Sequence, residues 1–193
     1  FDYSLVLSGM LGLYLLILAY SAIGLFMSSI TKYQVVAAIG TLAVLAVLNF
    51  IGDVGQEYDL VRNITYWLSI TGRAYPFIDG LIASDNVFYF LIVIGFFLAL
   101  SILKLNTEKS IMPLKTKVLK YSGIVLVTLV LGYVSSTPYT KFYYDASYTK
   151  ENTLAQESQE VIKNLEGGLT ITTYVNLLDE DFYNGVPRNR NND

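Results

Sequence analysis

The 193-residue chain contains no cysteine and no histidine. Without cysteine there is no disulfide, no thiolate nucleophile and no Cys-ligated cluster. Without histidine the usual general base and the commonest metal ligand are missing. Intramembrane metalloproteases, haem proteins and Ser-His catalysis are therefore disfavoured. The expectation is a non-enzyme with no catalytic residue, no cofactor and no metal. Charge is scarce as well: 15% of the residues are charged and 53% are hydrophobic, with a mean hydropathy of +0.47, where soluble domains carry about a quarter charged residues. The pI near 4.9 and the lack of a basic patch give no reason to expect a nucleic-acid partner.

What is present is long apolar sequence. Residues 3–31, 33–52, 86–103 and 121–140 contain no Asp, Glu, Lys or Arg, and a spanning helix needs roughly 20 apolar residues. The expected fold is an all-α polytopic membrane protein with four transmembrane helices, near residues 4–30, 33–51, 87–103 and 121–136. Small residues recur four apart in the first helix, at Ser4, Ser8 and Gly12 and again at Gly24 and Ser28. That spacing predicts a close-packing face, because lipid supplies no hydrophobic drive between helices. Residues 28–32 form a short polar hinge between the first two helices, with Lys32 as its only charge. Its backbone polar groups must reach the headgroups.

Residues 53–85 are mixed. Leu60, Val61, Ile64, Trp67 and Leu68 recur at helical spacing, which reads as a short amphipathic helix at the interface. Gly72 and Pro76 are read as breaks, and residues 77–83 as a second short helical piece, so that the two form an interfacial or re-entrant pair. The stretch from Lys104 to Lys120 holds five lysines against Glu108. By the positive-inside rule it is expected in the cytoplasm. The hinge is then also inside, and residues 53–85 and the tail are outside.

Past residue 137 the chain turns polar and Tyr-rich. Residues 153–168 read as a helix with a possible capping box at Thr153 and Gln156 and a Gly-Gly stop. Residues 169–177 alternate as a half-buried strand. One helix and one strand cannot bury a core, so they read as the start of an α/β extracytoplasmic domain. The acidic run at 179–185 lacks the spacing of a calcium loop. The chain begins at Phe1 and ends just after that strand. Both ends read as cut, so the sequence is expected to be an internal part of a longer protein.

Two stretches carry a resemblance. "GLFMSSITKYQVVAA" resembles the segment of ABC-2 type transporter permeases where two spanning helices meet in the cytoplasm. Gly24, Leu25, Ser28, Ser29, Thr31, Gln34 and Ala37 match the pattern. "WLSITGRAYPFIDGLIASDNVFYFL" resembles the outer hairpin and last helix of the same family, through Leu68, Ser69, Phe77, Gly80, Ile82, Tyr89 and Phe90. Arg73-Ala74 stands where the family often has His-Phe. The tail, through Thr153, Leu154, Ser158, Lys163, Asn164 and Leu165, resembles the start of the auxiliary extracytoplasmic subunit of gliding-motility-type ABC transporters.

The resemblance implies a C-terminal permease part at 1–104, a cytoplasmic Lys-rich linker at 105–120, a fourth transmembrane helix at 121–138, and a truncated auxiliary domain at 139–193. It further implies a permease of the bacterial inner membrane that moves a substrate with ATP hydrolysed by a separate subunit. The expected partners are that cytoplasmic ATPase, a second permease half and membrane lipid. The alternative reading is a membrane anchor that presents an extracytoplasmic domain within a motility or secretion machine.

Overall fold

The structure, a computed structural model, describes residues 2–54, 58–109, 113–137 and 140–164. It is mostly helical. Three helices are long and apolar enough to cross a membrane: α1 (Tyr3–Ile30), α5 (Ser84–Lys109) and α6 (Leu114–Ser135). Helix α2 (Gln34–Phe50) is equally apolar but has 17 residues. At 1.5 Å per residue it is about 25 Å long, short of a ~30 Å hydrocarbon core. A 3₁₀ turn at Ile51–Asp53 follows it, then α3 (Asp59–Leu68), α4 (Ile70–Ile78) and β1 (Leu81–Ala83), which leads into α5. Beyond α6 lie β2 (Tyr143–Asp145) and α7 (Gln156–Lys163). The chain forms two compact units, Phe1–Thr153 and Leu154–Asp193.

Helix α1 is the spine of the first unit. Its buried residues, Ser8, Gly12, Leu15, Ala19, Ala22 and Ile23, fall at three- and four-residue steps and so share one face. That face packs against α5 and α4, and α2 packs beside it. Ala19, Ile23, Ile70, Phe77 and Phe90 are fully enclosed at the centre. The expected small-residue face is realised at Ser8, Gly12 and Gly24, whereas Ser4 and Ser28 are exposed. A Cβ on Gly12 would stand 2.5 Å from Phe77 Cβ, and one on Gly24 would touch Thr41 Cγ2 at 3.8 Å. The outward faces are apolar too, with Val36, Ile39, Leu42, Leu126 and Leu129 exposed, as expected of helices whose solvent is lipid.

Several boundaries differ from the sequence reading. Helix α5 runs on to Lys109 and α6 begins at Leu114, so most of the Lys-rich stretch is helical. Charge ends an apolar run but not a helix. Lys, Leu and Glu are good helix formers, and Lys104 and Glu108 form an i,i+4 ion pair at 2.9 Å. Pro113 stands at the N-cap of α6, where its missing N–H is no loss and its fixed φ suits the entry to a helix.

Gly72 and Pro76 do not break the chain, because both lie inside α4. Pro76 sits in the last turn of this nine-residue helix, where its missing N–H removes one bond and the helix ends two residues later. Residues 81–83, expected to be helical, form β1, paired antiparallel with β2 in the register Leu81↔Asp145, Ile82↔Tyr144 and Ala83↔Tyr143. The capping box is absent. Helix α7 has Ala155 at its N-cap without a side-chain bond, and Thr153 Oγ1 donates to Asp145 instead, at 2.7 Å. The expected strand at 169–177 and the acidic run at 179–185 lie outside the described residues.

Gly12 and Gly40 separate two kinds of close contact. At Gly12 the obstacle is the rigid root of Phe77, whereas at Gly40 it is Met27 Cε, also 2.5 Å from a Cβ there, at the free end of a flexible side chain. Gly12→Ala is expected to destabilise the bundle by about 1–3 kcal/mol through overpacking. Gly40→Ala is expected to be close to neutral. Thermal unfolding of the two variants in the same detergent checks this, and equal melting points would contradict it.

Candidate functional site

The residues of the two sequence motifs lie at opposite ends of the bundle. At the hinge end, Thr31, Lys32 and Tyr33 alone separate α1 from α2. Tyr33 N donates to Thr31 Oγ1 at 3.2 Å, and Ser29 Oγ donates to Phe26 O at 2.7 Å. The turn thus satisfies its own polar groups locally. Gly24 and Ala37 are half-buried, while Ser28 and Gln34 are exposed, and Ala37 N closes the first turn of α2 on Tyr33 O. This set forms no cleft; it forms a tight helix–helix corner.

At the other end, the hairpin residues are all built into the packing. Ser69 is buried and caps α4 by accepting from Gly72 N. The buried Tyr89 donates its hydroxyl hydrogen to Leu68 O at 2.9 Å. Phe77 is fully enclosed and meets Phe90 with ring centroids 6.3 Å apart. Gly80 ends the hairpin at φ +79, where a Cβ would also meet Leu5 Cδ1 at 2.8 Å. The positive φ is what calls for glycine there, and the Ser147 backbone N, 3.2 Å from a Cβ, crowds the same side. Of the expected apolar face of α3, Trp67 and Leu68 are half-buried, while Val61 and Ile64 face outward.

Helix α4 runs back along α1. Its first turn sits level with Tyr20, and Asn49, at the end of α2, gathers both: Tyr20 Oη donates to Asn49 Oδ1 at 3.1 Å, and Thr71 Oγ1 bonds the same oxygen. Asn49 Nδ2 returns to Leu45 O at 2.8 Å. One amide therefore ties α1, α2 and α4 together.

Four further residues, Arg73, Asp85, Asn86 and Lys141, which the sequence motifs did not single out as a group, form a polar cluster at this end. Arg73 Nη1 donates to Asp85 Oδ2 at 3.2 Å and to Asn86 Oδ1 at 3.1 Å, and its Cζ stands 5.6 Å over the Tyr89 ring. Lys141 Nζ approaches the same Asp85 oxygen at 3.9 Å. Asp85 lies in the first turn of α5, where the helix dipole favours an anion. These groups line a cleft of about 420 Å³ together with Trp67, Ser136 and Tyr143. A signal for it was present in the sequence: Arg73 is the only charged residue between Asn63 and Asp79, and a lone ionisable group in an apolar stretch marks a site. Its partner, 12 residues on, was not marked by any spacing rule.

Beyond β2 the chain closes on Asp145. Ser147 Oγ and N donate to Oδ1 at 2.6 and 3.0 Å, and Asn152 N and Thr153 Oγ1 donate to Oδ2 at 3.0 and 2.7 Å. The Ser147 hydroxyl, chiefly, holds this carboxyl well below the usual range. Burial opposes it, and the Thr153, Ser147 N and Asn152 donors add to it. Asp2 caps α1 through Ser4 N and Leu5 N and also accepts from Tyr148 N at 2.7 Å. Its pKa too is lowered, first by the Leu5 amide and then by that of Tyr148. Among the described residues no group of three or more acidic side chains is arranged to hold a metal ion. Set against protein-family models, curated proteins and solved structures, the chain matches none of them.

The sign of the Asp145 shift fixes a pH dependence. A depressed folded pKa contributes stability that is fully present above the unfolded value of about 3.9 and is lost as pH falls toward the folded one. Melting temperature in micelles is expected to hold between neutral pH and about 5 and to drop below about 4. In Asp145→Asn that acid-induced drop should be smaller and the neutral melting point lower. An unchanged acid limb in the variant would assign the effect to other carboxylates.

Proposed function

We infer that the chain is the C-terminal part of an ABC-2 type permease joined to the start of an auxiliary domain, and that it moves a substrate across the bacterial inner membrane. A separate cytoplasmic subunit hydrolyses ATP for it. The observation that carries this reading is the order of parts around α1. A spanning helix and a shorter apolar one meet at a three-residue corner, a pair of short helices then folds back beside the first, and a long apolar helix follows. The same order is implied by the two motif resemblances, found in separate stretches. In this reading α2 spans as well, as the second of four spans. Its exposed apolar face, with Val35, Ile39, Leu42 and Val47 outward, is available to a second permease half. The lysines between Lys104 and Lys120 put the hinge end inside, and the hairpin end and tail outside.

Pull-down of the tagged parent protein in mild detergent, with mass spectrometry, tests the transport reading. A stoichiometric ATPase, stimulated in the complex, is the expected result. Recovery of envelope proteins with no ATPase would favour the anchor reading.

Orientation has its own test, made simple by the absence of native cysteine. Single cysteines at Lys115 and Tyr148, both exposed, should differ in intact spheroplasts. An impermeant thiol reagent is expected to label position 148 and spare 115. The reverse pattern would invert the topology.

A further inference from the structure

Helices α5 and α6 face each other across an open apolar groove of about 860 Å³. Phe88, Ile92 and Gly95 line it on α5, and Gly123, Val127 and Leu131 on α6. A side chain built on Gly95 or Gly123 would meet nothing within 4 Å, so the glycines here leave space where Gly12 allows contact. From Lys120 to Ser135 the groove follows fifteen residue steps of α6, about 22 Å. That is more than one leaflet and less than the whole of a ~30 Å hydrocarbon core, and Lys120 stands at the end away from the cleft.

The groove leads to the Arg73 cleft. On α5, Asp85, Phe88, Ile92, Gly95 and Ala99 recur at steps of three and four and so share one stripe. The carboxylate heads the same face that lines the groove. At that end Thr140 borders the groove and the next residue, Lys141, borders the cleft. Ser84 fixes this junction to the start of α5: its Oγ donates to Thr140 O at 2.9 Å and accepts from Phe142 N at 2.8 Å. Among the described residues the cleft presents two cations, Arg73 and Lys141, to one carboxylate, Asp85, a positive excess of one. An apolar slot about 22 Å long, capped at one end by a net positive polar pocket, is complementary to an amphiphile with an anionic head.

We propose that this groove and cleft together hold an anionic phospholipid, with one acyl chain between α5 and α6 and the phosphate at Arg73 and Lys141. The site is independent of the transport reading; it requires only that α5 and α6 lie in a bilayer.

The test uses the full chain, purified, delipidated and supplied with dioleoyl phosphatidylglycerol, dioleoyl phosphatidylcholine or inorganic phosphate. Native mass spectrometry is expected to show phosphatidylglycerol retained in preference to phosphatidylcholine, with a rise in melting temperature that inorganic phosphate does not produce. Lys141→Gln, which leaves the Arg73–Asp85 pair in place, should lower phosphatidylglycerol retention about 5-fold, the worth of one cation near an anionic headgroup. Gly95→Leu combined with Gly123→Leu fills open space. It should abolish retention while the lipid-free melting point stays at the wild-type value, which separates a blocked groove from a misfolded chain.

Equal retention of both lipids in every variant would overturn the proposal. Stabilisation by inorganic phosphate equal to that by phosphatidylglycerol would reassign the cleft to a free anion. Conversion of a dimer to a monomer by the groove-filling pair, with lipid retention unchanged, would reassign the groove to a second copy of the chain.

Discussion

Phe77 fills the notch that Gly12 leaves in α1, and the hairpin end of the bundle is arranged around that contact. Helix α2 stops about 25 Å from the hinge, with Asn49 level with Tyr20, so α1 continues past it with one flank uncovered. Helix α4 covers that flank. Because apolar side chains gain nothing by leaving lipid for one another, the gain must come from close dispersion contact. A rigid aromatic seated against a bare backbone supplies much of it. Phe90 and Ile70, also fully buried, pack in the same cluster. A larger residue at position 12 would therefore displace the α4 packing as a whole.

A helix pair folded back against long apolar helices also brings backbone ends and polar side chains with it, and each must find a partner there. Asn49 serves Tyr20 and Thr71, the Tyr89 hydroxyl serves Leu68 O, and Ser69 caps the first turn of α4. The Arg73–Asp85 pair sits where α4 and α5 converge, and both side chains are largely withdrawn from solvent. Pairing within such a site is what makes its charges tolerable. The resulting geometry is specific, since moving α4 by one turn would separate the arginine from its carboxylate.

The long apolar helices were legible because their signal is local: twenty residues without a charge need no partner to be recognised. The short hinge was legible for the same reason, and the small-residue face in part, since Ser8, Gly12 and Gly24 lie in the packing and Ser4 and Ser28 do not. The boundaries at Lys109 and Leu114 were not, because hydropathy reports where the apolar phase ends, while lysine and glutamate continue a helix readily. Pro76 misled in the same way. It was read as a break, yet at the end of a nine-residue helix its missing donor costs little. The pairing of Leu81–Ala83 with Tyr143–Asp145 spans some sixty residues of chain, and three-residue strands carry too little alternation to announce themselves. The polar cleft was half legible. Arg73 stood out alone, while Lys141 is brought to it by that same long-range strand pairing and by the bonds of Ser84 to Thr140 and Phe142.

The closed turn at Asp145 bears on how the chain transmits force. Thr153 is the last residue of the first unit, and its hydroxyl is bonded to Asp145. The neighbouring Asn152 is bonded to Asp79 O at the end of α4, and Tyr148 N to Asp2 at the start of α1. A pull on the chain beyond Leu154 therefore loads this knot first, in shear against β1 and the ends of α1 and α4. It does not first peel α6, whose middle has few neighbours. The turn works as a strain relief, like the clamp where a cable enters its housing: tension from the tail is delivered to β1 and to the ends of α1 and α4.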